Sequence, residues 1–561
     1  MIDLKFEEMN ILRKTFFLAA MILTGIMSSE ACSNIIVGRK ASTDGSCFIT
    51  YSCDSYGSYG FIRHFAAGKH PKGEKIKIYD RDNNKYHGEI DQVAETYNVV
   101  GHINEHQLSI GETTFGGREE LVDTKGALDY GNLIYLALQR AKTAREAIKV
   151  MAALVEKYGY CSEGETYSIA DTKEAWIMEM IGKGPDEKGA VWVAVRIPDD
   201  CVCAHANQSR IHRFMQYDKK DCLYSKDVVS FARKRGYFTG KDEEFDFANA
   251  YCPINFDGAR FCEARVWSIY KNWADGMDSY FNYSAGLDLK AEPLPLFVKP
   301  NKPISLNDVQ NAMRDQYEGT ELDMTKDVGA GAFLMPYRPR PLTWEYNGKK
   351  YFNERPVATP QSAFVFVAQM RDNMPNPLGG VLWFANDDAK TTPFTPVYCC
   401  VNSIPECYAP EKGADDVTFS LKSAFWVCNW VANMVYPRFS MMFDDLKKAR
   451  DEVENECLAQ QNEVEKKARE LYDKNAVECA NYLTEYSKTA ADKMMKRWIK
   501  LGQFLIVKYN DMVMKPENNG VFERTPEGMG GKVINVGFPD ATKERIIKET
   551  GTKFEMPEKE K

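Results

Sequence analysis

The chain has 561 residues, 44% hydrophobic and 27% charged, a globular composition able to bury a large core and unlike a disordered or collagen-like chain. Its 72 basic and 80 acidic residues leave a net charge of −8, which excludes the basic excess of a nucleic-acid binder, so no nucleic acid is expected as a partner. The single long apolar run lies near the N-terminus, so the body of the chain is not a membrane bundle.

Residues 9–31 read MNILRKTFFLAAMILTGIMSSEA, in which Arg13 and Lys14 precede an uncharged stretch over 15–27. That stretch is shorter than the roughly 20 residues a membrane span needs, and Ser29 and Ala31 stand three and one residues before a cut ahead of Cys32. The layout predicts a cleaved export signal over 1–31 and an exported mature chain, periplasmic or extracellular, with no stable membrane span. Lipidation of Cys32 is the competing reading. Ser29, where lipidation favours Leu, and the charged Glu30 argue against it.

Cleavage there makes Cys32 the first residue, which matters chemically. A free thiol has a pKa near 8.5 and needs a base, whereas an α-amine titrates near about 7.7–8.0 and can take its proton directly or through a water. One residue then supplies both nucleophile and base, and only after cleavage, because an amide nitrogen is no base.

The segment CSNIIVGRKASTDGSCFITY predicts a strand, a turn at Asp44-Gly45 and a second strand that brings 51–54 beside Cys32. Strands follow at 76–79, 167–170, 175–180, 191–197, 363–370 and 380–384, punctuated by Gly, Pro and Asp. Helices are expected over 133–156 and over 305–317, the latter capped by Ser305, with an exposed Pro-rich connection at 293–303. From 440 to about 510 two long helices are expected, with Met442, Leu446, Ala449, Val453, Leu483, Tyr486, Ala490, Met494, Trp498, Leu501 and Leu505 facing inward. Such a pair can pack on its own sandwich or on a second subunit, so a homo-oligomer stays open. The last fifty residues read as a loop-rich, frayed tail.

The run CSNIIVGRKASTDGS resembles the start of the mature dipeptidases of peptidase family C69, where a Cys-Thr-x-Ile-x-Val-Gly-Lys-x-Ala-Ser-x-Asp-Gly-Ser run opens the enzyme. Further pieces agree in order: Asn104-Glu105-His106 leading to Glu112-Thr113-Thr114, Tyr167-Ser168-Ile169-Ala170-Asp171, Ala206-Asn207-Gln208, Arg265-Val266-Trp267 and Arg371-Asp372-Asn373. The resemblance covers about 32 to 510. It implies an α+β fold, the αββα sandwich of N-terminal nucleophile hydrolases with two antiparallel sheets between helix layers, shared with the choloylglycine hydrolases. It also implies dipeptide substrates, no cofactor and no metal.

Carried over residue by residue, the resemblance makes Cys32 the nucleophile and its α-amine the base. Asp54 closes the Arg-x-x-Asp motif, Asn207 donates to the developing oxyanion and Arg265 supports the site. The family arginine three residues before the aspartate is Tyr51 here, so a cation next to the nucleophile is missing at that place. The place of the acyl hydrolases' oxyanion asparagine falls on or near Thr114. Tyr51, Thr114, Asn104 and His205 are the expected substrate-binding residues, His205 with an equal reading as a plain polar strand residue. The implied organisation is a signal over 1–31, a catalytic domain over 32–435, a helical segment over 436–515 packing on it, and a tail over 516–561.

The fourteen cysteines other than Cys32 show no paired CxxC motif and read as scattered thiols or bridges to distant partners, and Cys53 is notable for its place beside Asp54. His102 and His106 stand four apart, but the flanking Val and Gly residues point to strand and turn rather than to a zinc-binding helix. Two other functions compete with a dipeptidase: an acyl-amide, bile-salt-like hydrolase on the same fold, and a surface lipoprotein or binding protein that has lost catalysis.

Overall fold

The computed structural model describes residues 32–410 and 414–557, so the export signal expected over 1–31 lies outside the described residues. Fourteen strands build two antiparallel sheets: β1 Asn34–Val37, β2 Cys47–Asp54, β3 His64–Phe65, β4 Val99–Val100, β5 Ile103–Asn104, β6 Ser109–Gly116, β7 Gly164–Ala170, β8 Ala175–Gly182, β9 Ala190–Ile197, β10 Val202–His205, β11 Cys222–Tyr224, β12 Ser362–Met370, β13 Val381–Asn386 and β14 Thr395–Tyr398. The first sheet runs β10-β1-β2-β12-β13-β14 and the second β11-β9-β8-β7-β6-β5-β4-β3.

Alternation along the strands decides which layer each residue joins. In β8, Ile177 and Ile181 join the core between the sheets, while Trp176, Met178 and Met180 face the helices α1 (Tyr130–Arg140) and α2 (Ala144–Tyr158) outside. The first sheet is covered by α3 (Ala264–Trp273), α4 (Leu306–Ala312), α5 (Ala424–Val435) and the hairpin of α6 (Phe439–Tyr472) and α7 (Ala476–Tyr509). The order of layers is the αββα sandwich, as expected. Among the described residues no helix is long and apolar enough to cross a membrane.

The α6–α7 hairpin packs on the edge of its own sandwich at β14, and all the inward-facing positions named above except the partly buried Tyr486 are buried. A bidentate, buried Arg371–Glu465 pair, at 2.9 and 2.7 Å, ties α6 to the end of β12. A second buried pair joins Arg314 to Glu454. Pairs of this kind add little net stability but fix one docking geometry, since any other leaves a charge buried alone.

Four expectations change. The helix expected over 133–156 is two, because Asn104 Nδ2 takes the carbonyls of Leu138 and Ala141, and the Thr143 side chain then accepts from Glu146 N to start α2. The helix capped by Ser305 stops at Ala312 and is held by a capping box with Asp308. The Pro-rich segment is not simply exposed: Leu294 and Val298 are buried, and the Arg210 guanidinium donates to the carbonyls of Leu294, Pro295 and Leu296. The tail holds a short hairpin, Glu517–Asn518 with Val521–Phe522, and a helix over Asp540–Thr550. The thirteen cysteines other than Cys32 and Cys53 are free thiols.

Candidate active site

Cys32 stands at the start of β1 and is 1% exposed. The β1–β2 hairpin fixes it: Ser33 N donates to Ser52 Oγ at 3.0 Å, and Ser52 N donates back to the Ser33 carbonyl at 3.1 Å. The Cys32 sulfur lies 3.8 Å from Glu112 Oε1 and 4.0 Å from the Tyr51 hydroxyl, and that hydroxyl donates to Glu112 Oε1 at 2.5 Å. The second sheet comes this close because residue 111 is glycine. A Cβ there would lie 2.9 Å from Asn34 Nδ2 and 3.1 Å from Tyr51 Cβ.

Arg265 holds the other side of Cys32. Its Nη1 donates to the Cys32 carbonyl at 2.6 Å and to Ser33 Oγ at 2.8 Å, and its Nη2 donates to Asn207 Oδ1 at 2.8 Å. It sits just after a π-helical turn, Gly258–Glu263, and its Nε is anchored on the Phe261 carbonyl at 2.6 Å. Gly258 admits the Gln208 side chain, which a Cβ would meet at 2.1 Å. Burial and the neighbouring Arg355 push Arg265 down to about 10, which leaves it charged at neutral pH. Asn207 spends one N–H on the Thr114 carbonyl, at 2.8 Å.

Asp54 is buried and bound from three sides: Arg355 Nη2 at 2.7 Å, Ser362 Oγ at 2.6 Å and Ser52 Oγ at 3.2 Å. The guanidinium that Asp54 pairs with comes from Arg355, far along the chain, and not from position 51. Asp54 is linked to the residue after Cys32 through the Ser52 hydroxyl, which donates to Asp54 and accepts from the backbone N–H of Ser33.

Charged side chains of differing exposure surround Glu112: Arg81 is half-buried and Asp82 exposed. Burial pushes the Glu112 carboxyl up to about 7, with hydrogen bonds from Tyr51 and Glu165 and the charge of Arg81 acting downward and Asp82 acting upward. A neutral carboxyl beside Sγ does not oppose a thiolate, whereas an ionised one does. Arg81 and Asp82 come from the turn of the hairpin Lys75–Tyr79 with Tyr86–Asp91, and Asp82 accepts from the Tyr130 hydroxyl at 3.0 Å.

A pH dependence follows. Between the unfolded pKa near about 4.3 and about 7, folded Glu112 keeps a proton that the unfolded chain has released, so its effect on stability falls as pH rises through that window. Glu112→Gln keeps the acceptor for Tyr51 but cannot titrate. Thermal melts of both proteins from pH 5 to about 8 are expected to show the wild type losing melting temperature relative to the variant as pH rises. A constant difference would contradict this reading.

Of the eight residues expected from sequence, five gather here: Cys32, Tyr51, Asp54, Asn207 and Arg265. Thr114 contributes its carbonyl, while its hydroxyl donates to Glu165 Oε1 at 2.7 Å. Asn104 and His205 do not face the cleft. Asn104 is fully buried: its Nδ2 donates to carbonyls at the end of α1, and its Oδ1 accepts from the backbone N–H groups of His106 and Leu108 in the turn after β5. His205 bridges the sheets between Thr113 Oγ1 at 2.8 Å and Ser168 Oγ at 2.7 Å, and burial with Arg210 pushes it down to about 3, so it is a neutral core residue. Sequence reasoning missed Arg355, Arg81 and Asp82, which belong to irregular segments with no motif around them, and named Glu112 only as part of a matching run.

Comparison with known proteins adds an independent finding. The family model described as "Peptidase family C69" matches residues 72–452. A "Probable dipeptidase" of Salmonella dublin is 26% identical over 406 residues, covering 69% of this chain and 84% of that protein. A "Probable dipeptidase" of Latilactobacillus sakei is 25% identical over 460 residues, covering 77% and 87%. A "Probable dipeptidase B" of Lactococcus lactis subsp. lactis (strain IL1403) is 24% identical over 512 residues, covering 87% and 98%.

Proposed function

Since this chain belongs to peptidase family C69 and is a hydrolase, we propose that it is an exported dipeptidase whose mature form begins at Cys32 and uses that residue's thiol and α-amine. The family match begins at residue 72, so the nucleophile is argued from geometry. The observation that carries it is the Cys32 sulfur within 4.0 Å of both Tyr51 and Glu112, with Arg265 bonded to the carbonyl of the same residue.

In this mechanism the α-amine takes the thiol proton and the sulfur attacks the carbonyl carbon of the peptide bond. The tetrahedral oxyanion is met by the Asn207 amide. Collapse breaks the C–N bond, the amine's proton leaves with the second amino acid, and a thioester remains. Water, deprotonated by the same amine, hydrolyses the thioester and frees the thiol. The Asp82 carboxylate attracts the α-ammonium of a dipeptide, and the Glu112 oxygens accept hydrogen bonds from it. Arg81, whose buried Nη1 makes no hydrogen bond among the described residues, suits its carboxylate.

The test is a panel of dipeptides, their N-acetylated forms and bile-salt-type acyl amides. Free dipeptides are expected to be cleaved, with loss of about 10- to 1,000-fold in kcat/KM on N-acetylation, since an ammonium–carboxylate pair is removed. Faster turnover of the acyl amides would overturn the substrate assignment in favour of the acyl-hydrolase reading.

A further inference from the structure

We propose that Asp80, His87 and Cys161 form a binding site for one zinc-class divalent cation, apart from the nucleophile. The ligand atoms of these three residues all lie within 4.8 Å of one another, with Asp80 Oδ2 and His87 Nε2 at 3.5 Å. A tetrahedral zinc with bonds of about 2.0–2.3 Å sets its ligands roughly 3.3–3.8 Å apart, so closure needs only a small inward movement. Three different donor types, carboxylate, imidazole and thiolate, suit zinc and leave a fourth position for water.

The histidine points to a ligand independently of the cluster. Its side chain is only 9% exposed, and Nε2 is buried with no hydrogen-bond partner among the described residues. Nδ1 lies 3.1 Å from the Gly126 carbonyl, which can only accept, so the ring proton sits on Nδ1 and the Nε2 lone pair faces Asp80 and Cys161. An outer-shell carbonyl that fixes the tautomer in this way is a regular feature of zinc-bound histidine.

The other two ligands are equally well held. Asp80 Oδ1 accepts from the backbone N–H groups of Asp82 and Asn83, both at 3.0 Å, which leaves Oδ2 for the ion. Cys161 is fixed by its own N–H on the Leu128 carbonyl at 2.9 Å. Asp123 and Asp129 add negative charge around its sulfur. On binding, the Cys161 S–H bond releases its proton to solvent and the sulfur lone pair forms the Zn–S bond. Coordination uses the lone pair of a neutral His87 imidazole and of the Asp80 carboxylate, so the ion's two charges are balanced by thiolate and carboxylate. The bound ion pins the hairpin turn that carries Arg81 and Asp82 against the segment after α2.

The full mature chain, carrying Cys32→Ala to remove the reactive thiol, is titrated with zinc, and with cobalt as a spectroscopic stand-in. One zinc per chain after dialysis and a thiolate-to-cobalt charge-transfer band are expected. Cys161→Ser should abolish the band, and both Cys161→Ser and His87→Gln should weaken zinc binding more than about 100-fold, beyond what outer-shell changes cost. Cys53→Ser should change neither. Melting curves without metal check that each variant folds, and Asp80→Asn, which keeps the backbone contacts of Oδ1, supplies a second route if a variant does not. Absence of stoichiometric zinc, or a cobalt–thiolate band that survives Cys161→Ser, overturns the site.

Discussion

Cys32→Ala is expected to lower hydrolysis of every dipeptide the wild type cleaves by about 10,000-fold or more, the scale on which removal of a covalent nucleophile acts. The melting temperature should move little, because the lost sulfur is replaced by a methyl in the same buried place and no charge is stranded. Steady-state kinetics beside a thermal melt separate the two effects. The expected pattern has a cause in the geometry. The Cys32 sulfur is the reactive group that meets Tyr51 and Glu112, and the Arg265 charge reaches only the backbone of residues 32 and 33 and the amide of Asn207. A thiolate has no substitute there. Turnover within about tenfold of wild type would remove Cys32 from the mechanism.

Asp54→Asn is expected to have the largest effect on stability, about 3–5 kcal/mol, because it takes a carboxylate away from Arg355 where the two side chains are 0% and 2% exposed. Urea unfolding measures it. Arg355→Met alone strands the Asp54 carboxylate in the same way. The double variant, Asp54→Asn with Arg355→Met, should recover a large part of the loss, since neither charge is left buried without the other. Activity in the double variant should stay low even so, because the relay from Arg355 through Asp54 and Ser52 to the backbone of Ser33 no longer holds its geometry. Additive losses in the double variant would show that the pair is not coupled, and normal activity would take Asp54 out of the site.

Much of this arrangement is legible in sequence for a physical reason. The β1–β2 hairpin is encoded locally, so the residues that pair with Cys32, from Ser52 to Asp54, can be read from an Asp-Gly turn between strand-forming runs. Asn207 and Arg265 are visible through matching runs of neighbours. Long-range placement is not legible. Arg355 reaches Asp54 from 301 residues away, out of an irregular segment whose own neighbours say nothing about it. Arg81 and Asp82 enter the cleft only because a hairpin folds over α1. Asn104 and His205 are misread for the opposite reason: polar side chains near a motif suggest substrate contact, but their partners are carbonyls, hydroxyls and backbone N–H groups of the core. The αββα layering follows from strand alternation in β8 and from the amphipathic α1 and α2, while the Asn104 amide decides the break between those helices.

Intact mass with N-terminal sequencing of the exported, active protein shows which residue opens the mature chain. The expected result is a chain that starts at Cys32 with an unmodified α-amine. Full dipeptidase activity in a protein that starts at another residue, or whose Cys32 nitrogen carries an acyl group, would contradict it.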